Sequence, residues 1–204
     1  MISIPPALQA LTAYPQFILY KLVPSKRDPS KMDKLPVDHR TLQVFVKGQD
    51  WQQDPNAWTT SQHAISMVAM CGPEYGVGFF FTPSDPFFFV DLDKCLNPDN
   101  TTWSQVATDV MSKLPGAAIE VSQSGRGLHI FGKGVSPAHG CKNIPLGLEM
   151  YTEGRFVALT GTNAVGDAGL DCTDMLPSLV ASYFPSSGGS TAGTMEWREE
   201  PVTE

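Results

Sequence analysis

Two aspartates separated by one residue, Asp91 and Asp93, close the apolar run FFFVDLDKC. Successive side chains of a strand point to opposite faces, so both acids share a face with Phe89, while Phe88, Val90 and Leu92 share the other. Neighbouring carboxylates repel, and a bound cation is the simplest compensation. A strand that ends and surfaces into water, its acids solvated, is the competing reading. The same alternation sends His129 of GLHIF away from Leu128 and Ile130, and Glu149 with Tyr151 of LEMY away from Leu148 and Met150. Taken singly, Glu149 reads as a solvated strand residue and His129 as a hydrogen-bonded sheet histidine. If these strands share one sheet with helices on its apolar side, Asp91, Asp93, His129 and Glu149 converge on the open face. Three carboxylates there suit two hard cations, Mg²⁺ or Mn²⁺, roughly 3.5–4 Å apart, an arrangement used in phosphoryl transfer. Zinc would favour more histidine and cysteine and is not expected.

The stretch SQSGRGLH adds a phosphate-suited loop. Gly125 and Gly127 let the backbone bend so that N–H groups point into one concavity. Ser122, Ser124 and Arg126 bring hydroxyls and a fixed positive charge to the same place. Alone, this is also the pattern of an ordinary glycine hairpin. It is not a P-loop, since no GK[ST] follows and no helix begins there.

The elements that must position these residues follow from the flanking patterns. PQFILYKLVP reads as a strand bounded by prolines, followed by a polar, turn-rich segment carrying Lys26, Arg27, Lys31, Lys34 and Arg40. SQHAISMVAMCG reads as a helix capped by Thr59, Thr60 or Ser61 and stopped at Gly72. YGVGFFF and FFFVDLD are strands joined by a tight Pro-Ser-Asp-Pro turn. Trp103, Val106, Ala107, Val110, Met111 and Leu114 fall on one helical face, with caps offered by Asp99 to Thr102. AAIEVSQSGRGLHIFGKG is strand, glycine loop, strand, and LGLEMYTEGRFVALTGT is a second hairpin turning at Glu153-Gly154. Residues 186–204 are rich in Ser, Gly and Thr and read as a linker to a C-terminal module.

Over 204 residues the chain carries a net charge of −7, which argues against a broad basic surface for nucleic acid. It does not exclude an enzyme acting on nucleotides, because metals offset catalytic acids. Glycine and proline, 18 and 17 residues, indicate a turn-rich mixed α/β chain rather than a helical bundle. No stretch has the length of a membrane span, and the N-terminus lacks the pattern of a signal peptide. The four cysteines are scattered and show no disulfide framework, so a cytoplasm is the expected compartment.

The order of these motifs resembles the primase-polymerase (archaeo-eukaryotic primase) superfamily, in particular the N-terminal domains of phage and plasmid replication proteins. FVDLDKC, EVSQSGRGLHIFGKG, LEMY and GRFVALTGT carry the likeness, and KMDKLPV and DPNAWTT resemble upstream signatures of the phage group. The resemblance implies an α/β (α+β) fold in which an N-terminal α/β lobe, about 1–85, packs on an RRM-like lobe, about 86–185. That second lobe would have a mainly antiparallel sheet, with the active site in the cleft between the lobes. It implies that Asp91, Asp93 and Glu149 hold the divalent metals and that Ser124 and His129 contact the triphosphate of an NTP or dNTP, supported by the loop glycines and Arg126. Arg155 is a candidate nucleotide contact, and Lys34 matches the upstream basic signature. Implied partners are a single-stranded DNA template and a helicase module. Many relatives carry zinc-binding elements; His139 and Cys141 make no convincing set. A two-metal nuclease or phosphodiesterase, a non-catalytic initiator module and an Asp-x-Asp glycosyltransferase stand as alternatives.

Overall fold

The computed structural model describes residues 3–26, 28–29, 31–46, 48–99 and 101–186. All but the first residue of the expected linker therefore lies outside the described residues, as does Arg27. Two antiparallel sheets organise the chain, and their strand order explains where the acids fall. The first contains β2 (Met32–Val37), β1 (Phe17–Pro24), β3 (Tyr75–Phe81) and β9 (Arg155–Ala158), in that order. The second runs β5 (Ala118–Val121), β6 (Leu128–Lys133), β4 (Phe87–Leu92), β8 (Leu148–Tyr151) and β7 (Lys142–Asn143). Helix α1 (Ser61–Met70) packs on the first sheet, while α2 (Gln105–Lys113) and α3 (Leu176–Tyr183) bury one face of the second. The chain is thus α+β with antiparallel sheets, as expected.

Sheet 2 is buried on both faces, which is why FFFVDL is apolar almost throughout. Phe88, Val90 and Leu92 join Leu128, Ile130, Leu148 and Met150 against the two helices. Phe87 and Phe89, with Phe131, Ala118 and Tyr151, turn the other way and meet Phe79 and Phe81 of sheet 1. Phe89 stacks on Phe81 at 5.7 Å between centroids and on Phe131 at 5.4 Å, so it spans the seam between the sheets. Offset aromatic pairs of this kind add to the area they bury.

Several expectations need correction. The segment 148–158 is not a hairpin: β8 belongs to sheet 2 and β9 to sheet 1, and β3 and β4, joined by the expected tight turn, likewise lie in different sheets. Each connection carries the chain from one sheet to the other. At the first, Asp85 accepts hydrogen bonds from the Thr82 and Phe87 N–H groups at 2.7 and 2.9 Å and from the Gln16 side chain at 2.7 Å, holding the crossing turn. Because β9 pairs with β3, a strand from the later half of the chain completes sheet 1. Within the expected turn-rich segment, MDKLPV forms strand β2; Pro36 is tolerated because β2 lies at the sheet edge. Helix α1 is capped by Thr60, within the expected range. Helix α2 starts later than expected: Ser104 is its cap, accepting from the Ala107 N–H at 3.2 Å, and Asp99 caps the preceding turn instead.

Phe89→Ala would leave a cavity shared by both sheets. The expected loss is about 3–5 kcal/mol of unfolding free energy, read as a lower guanidinium midpoint; a loss under about 1 kcal/mol would contradict a joint core.

Candidate active site

Register alone builds the site. Across sheet 2, Glu120 of β5 lies opposite His129 of β6, His129 opposite Asp91 of β4, Asp91 opposite Glu149 of β8, and Glu149 opposite Lys142 of β7. Residues distant in sequence so form one row, on the face that also carries Phe89, Phe131 and Tyr151. The aromatic row is covered by sheet 1; the charged row begins where that cover thins, and the Asp91 side chain is 19 % exposed.

Asp93 departs from expectation. Strand β4 ends at Leu92, so Asp93 is the first residue of a turn and is exposed. Its N–H donates to the Gly147 carbonyl at 2.9 Å. Gly147 sits at φ +65°, where a Cβ would be strained and would come within 3.2 Å of the Asp93 carbonyl.

Like charges directly opposite one another destabilise a sheet, and Asp91 faces Glu149. Each acid is offset differently. Glu149 is held by Arg155 from sheet 1 at 2.8 Å, by Lys142 at 3.0 Å and by the Tyr151 hydroxyl, which donates at 2.8 Å. Burial pushes its carboxyl up, yet Arg155, Tyr151 and Lys142 together bring it below the usual range. Arg155 also lies over the Tyr151 ring at 4.8 Å, while its Nε is buried with no hydrogen-bond partner. Among the described residues Asp91 has no such cation in contact; His129 Nε2 lies 3.9 Å from its Oδ1. Burial therefore raises its pKa; His129 and Arg155 oppose the shift and Asp93 and Glu149 reinforce it. Lys34, on β2, is drawn into the same field. Burial lowers its pKa, Asp91, Asp93 and Glu120 counter that, and Arg155 adds to it.

The glycine loop lies at the end of β5 and β6, tied to the end of β4 by the Leu96 N–H donating to the Arg126 carbonyl at 3.0 Å. The expected concavity of N–H groups is only partly available. Gly125 N–H donates to the Ser122 carbonyl at 2.9 Å and Arg126 N–H to Ser124 Oγ at 3.2 Å, so both are spent inside the turn. Ser122 is buried with its hydroxyl 3.1 Å from that of Ser124, whereas Ser124 and Arg126 are exposed. Gly125 supplies a left-handed φ of +72°. Gly127 serves close approach instead: a Cβ there would lie 2.6 Å from the Leu92 carbonyl, between the two aspartates.

The residue missed in the sequence is Glu120. It is 0 % exposed, its Oε1 lies 2.9 Å from His129 Nδ1, and it accepts from the Gly161 N–H at 2.7 Å. The alternation in AIEVS, which buries Ile119 and Val121 on the helix side, already placed it beside His129.

A "DNA Primase-polymerase" of Nitratiruptor phage NrS-1 is 31 % identical over 160 residues, 76 % of this chain. Over that stretch the chain belongs to the primase-polymerase family. The chain spans 20 % of that relative's length. No family model matches the chain.

Primase-polymerase membership makes a divalent metal the natural test of the acids. Among the described residues no group of three or more His, Cys, Asp or Glu side chains is gathered to hold one. Glu149 has both oxygens occupied, by Arg155, Tyr151 and Lys142. Asp91 and Asp93 fit a hard cation by donor chemistry, and among the described residues no Lys or Arg forms an ion pair with the partly buried Asp91.

The raised pKa of Asp91 gives a stability prediction. The folded state holds the Asp91 proton more tightly than the unfolded chain, so its ionisation costs stability as pH rises through the folded pKa. Asp91→Asn removes that cost. In chelator at pH 7 the variant is expected to melt above wild type, by about 2–4 °C for each kcal/mol recovered. The gap should close below the carboxylate range; a variant melting lower at pH 7 would contradict the uncompensated burial of this acid.

Proposed function

We propose that this segment is the nucleotidyl-transfer domain of a phage or plasmid replication protein, a DNA primase and polymerase. A 3′-hydroxyl, from a primer end or an initiating nucleotide, would attack the α-phosphate of an NTP or dNTP on a single-stranded DNA template. The observation that carries this reading is the row His129, Asp91, Glu149, met from sheet 1 by Arg155 and Lys34, in a chain with a primase-polymerase relative.

In this reading Asp91 and Asp93 hold Mg²⁺ or Mn²⁺, with Glu149 the third ligand once it is released by its cations. Bound divalent ions would lower the pKa of the attacking hydroxyl and neutralise charge on the departing pyrophosphate. The chain's own groups act on the substrate. Arg155 and Lys34 reach the site from sheet 1, opposite the acids, where a triphosphate between the sheets would meet positive charge on one side. Arg155 bears on Glu149, so a phosphate drawing its guanidinium away would free that carboxylate. His129 is assigned to phosphate binding rather than to proton abstraction, because it stands beside the glycine loop. Ser122, Ser124 and Arg126 support the same phosphates from the loop. Template contact would fall to local lysines and arginines, with stacking on aromatics, and a helicase module following the linker could supply further grip. Among the described residues no helix is long and apolar enough to cross a membrane.

Purified protein given unprimed single-stranded DNA, nucleotides and Mg²⁺ or Mn²⁺ is expected to make short oligomers. Asp91→Asn or Asp93→Asn should lower product at least about 100-fold, the scale of losing a metal-held charge at a reacting phosphate, with the fold retained by circular dichroism. Metal-dependent degradation of the template without synthesis would favour a nuclease. Binding of DNA with neither reaction would favour an initiator module.

A further inference from the structure

We propose that Glu120 is a positioning residue that fixes which nitrogen of His129 faces the nucleotide. The proposal rests on the reading that His129 contacts the triphosphate. Glu120 is 0 % exposed and lies opposite His129 on the neighbouring strand. A buried charge persists only where hydrogen bonds and charge compensate it. Here the Thr160 N–H donates to both carboxylate oxygens at 3.1 Å, the Gly161 N–H to Oε2 at 2.7 Å, and His129 Nδ1 lies 2.9 Å from Oε1.

An ionised carboxylate accepts and cannot donate. Nδ1 must therefore carry the proton in that bond, and the hydrogen bond at one ring nitrogen decides what the other presents. Nε2 is left pointing along the row toward Asp91 Oδ1, 3.9 Å away. The ring cannot turn freely in place. Phe89 stands edge-on to it at 5.4 Å and Phe131 at 6.2 Å, and His129 as a residue is 3 % exposed. Packing holds the plane of the imidazole; Glu120 selects its polarity.

The same carboxylate reaches across the molecule. Thr160 and Gly161 follow β9, the strand that carries Arg155, and the Thr160 hydroxyl donates to the Val121 carbonyl at 2.6 Å. Glu120 so couples the orientation of His129 on sheet 2 to the exit of the sheet-1 strand bearing the Glu149 clamp. A purely structural tie between β5 and this turn would not require the imidazole as a partner, nor a group without donors of its own.

The test uses long-range ¹H–¹⁵N spectra of the full chain, whose 4 histidines are separated by comparison with His129→Gln. Wild-type His129 should show its proton on Nδ1. Affinity for a non-hydrolysable dNTP analogue with Mg²⁺ should fall about 10-fold in Glu120→Gln, the size seen when the partner orienting a ligating histidine is lost. The His129 pattern should change with it, and Glu120→Asp should restore part of both. An unprotonated Nδ1 in wild type would overturn the proposal without any variant, even if the substitutions failed to fold. Wild-type affinity and an unchanged spectrum in folded Glu120→Gln would overturn it while leaving His129's own role intact. If His129→Gln binds the analogue as well as wild type, the phosphate-binding reading of His129 fails, and the role of Glu120 toward the nucleotide fails with it.

Discussion

The arrangement turns on a carboxylate, Asp91, placed directly opposite another, Glu149, on adjacent strands of a sheet buried on both faces. That pairing is unfavourable in itself, and the surrounding structure can be understood as the set of groups that make it tolerable. Glu149 is neutralised from two directions, by Lys142 within its own sheet and by Arg155 from the other. Asp91 receives only an imidazole at a distance, itself anchored by Glu120. The asymmetry leaves one acid settled and one under tension. Residues retained in a costly arrangement that simpler packing would avoid are a recognised mark of functional sites.

Holding that row in place is the task of the apolar seam. On the same face, two residues along each antiparallel strand, lie Phe89 before Asp91, Phe131 after His129 and Tyr151 after Glu149, locked against sheet 1. Their stacking fixes the height of one sheet over the other, and so the reach of Arg155 toward Glu149 and of Lys34 toward the aspartates. The crossing segments between β3 and β4 and between β8 and β9 do the rest. Strands β4 and β8, which deliver Asp91 and Glu149 to sheet 2, are each continuous in sequence with a strand that delivers packing or positive charge to sheet 1.

Much of this was legible because period-two alternation is a local property. It put Asp91, His129 and Glu149 on one side of their strands, and the structure aligns all three in register. What alternation could not supply is pairing. TEG looks like a hairpin turn, yet it carries the chain between sheets, as the tight turn TPSDP also does, since a turn's composition does not reveal which strand lies beside the next one. Asp93 escaped the pattern because the left-handed Gly147 and the turn it caps end β4 one residue early. Glu120 was open to the same argument as His129. It passed unnoticed because a single glutamate between Ile119 and Val121 looks like a solvated face, and only the pairing with β6 shows it fully buried. The N–H groups of the glycine loop were misjudged for a related reason: a sequence shows where a backbone can bend, not which of its donors the bend consumes.

The charge distribution completes the physical argument. With a net charge of −7, the surface as a whole repels polyanions. Against that background Lys34, Lys142 and Arg155 are brought to one place, facing acids, with Lys34 and Arg155 coming from the opposite sheet. Two of these cations are engaged by Glu149, and the third sits in the field of Asp91 and Asp93, so none is a free surface charge open to any anion. A ligand must therefore offer enough negative charge to compete with a carboxylate, and a means of compensating the acids it displaces. A triphosphate accompanied by divalent cations meets both conditions at once, whereas a bare phosphodiester backbone meets only the first. In the proposed function, selection for metal-bound nucleotide over nucleic acid backbone would follow from pairing each cation with an acid beforehand.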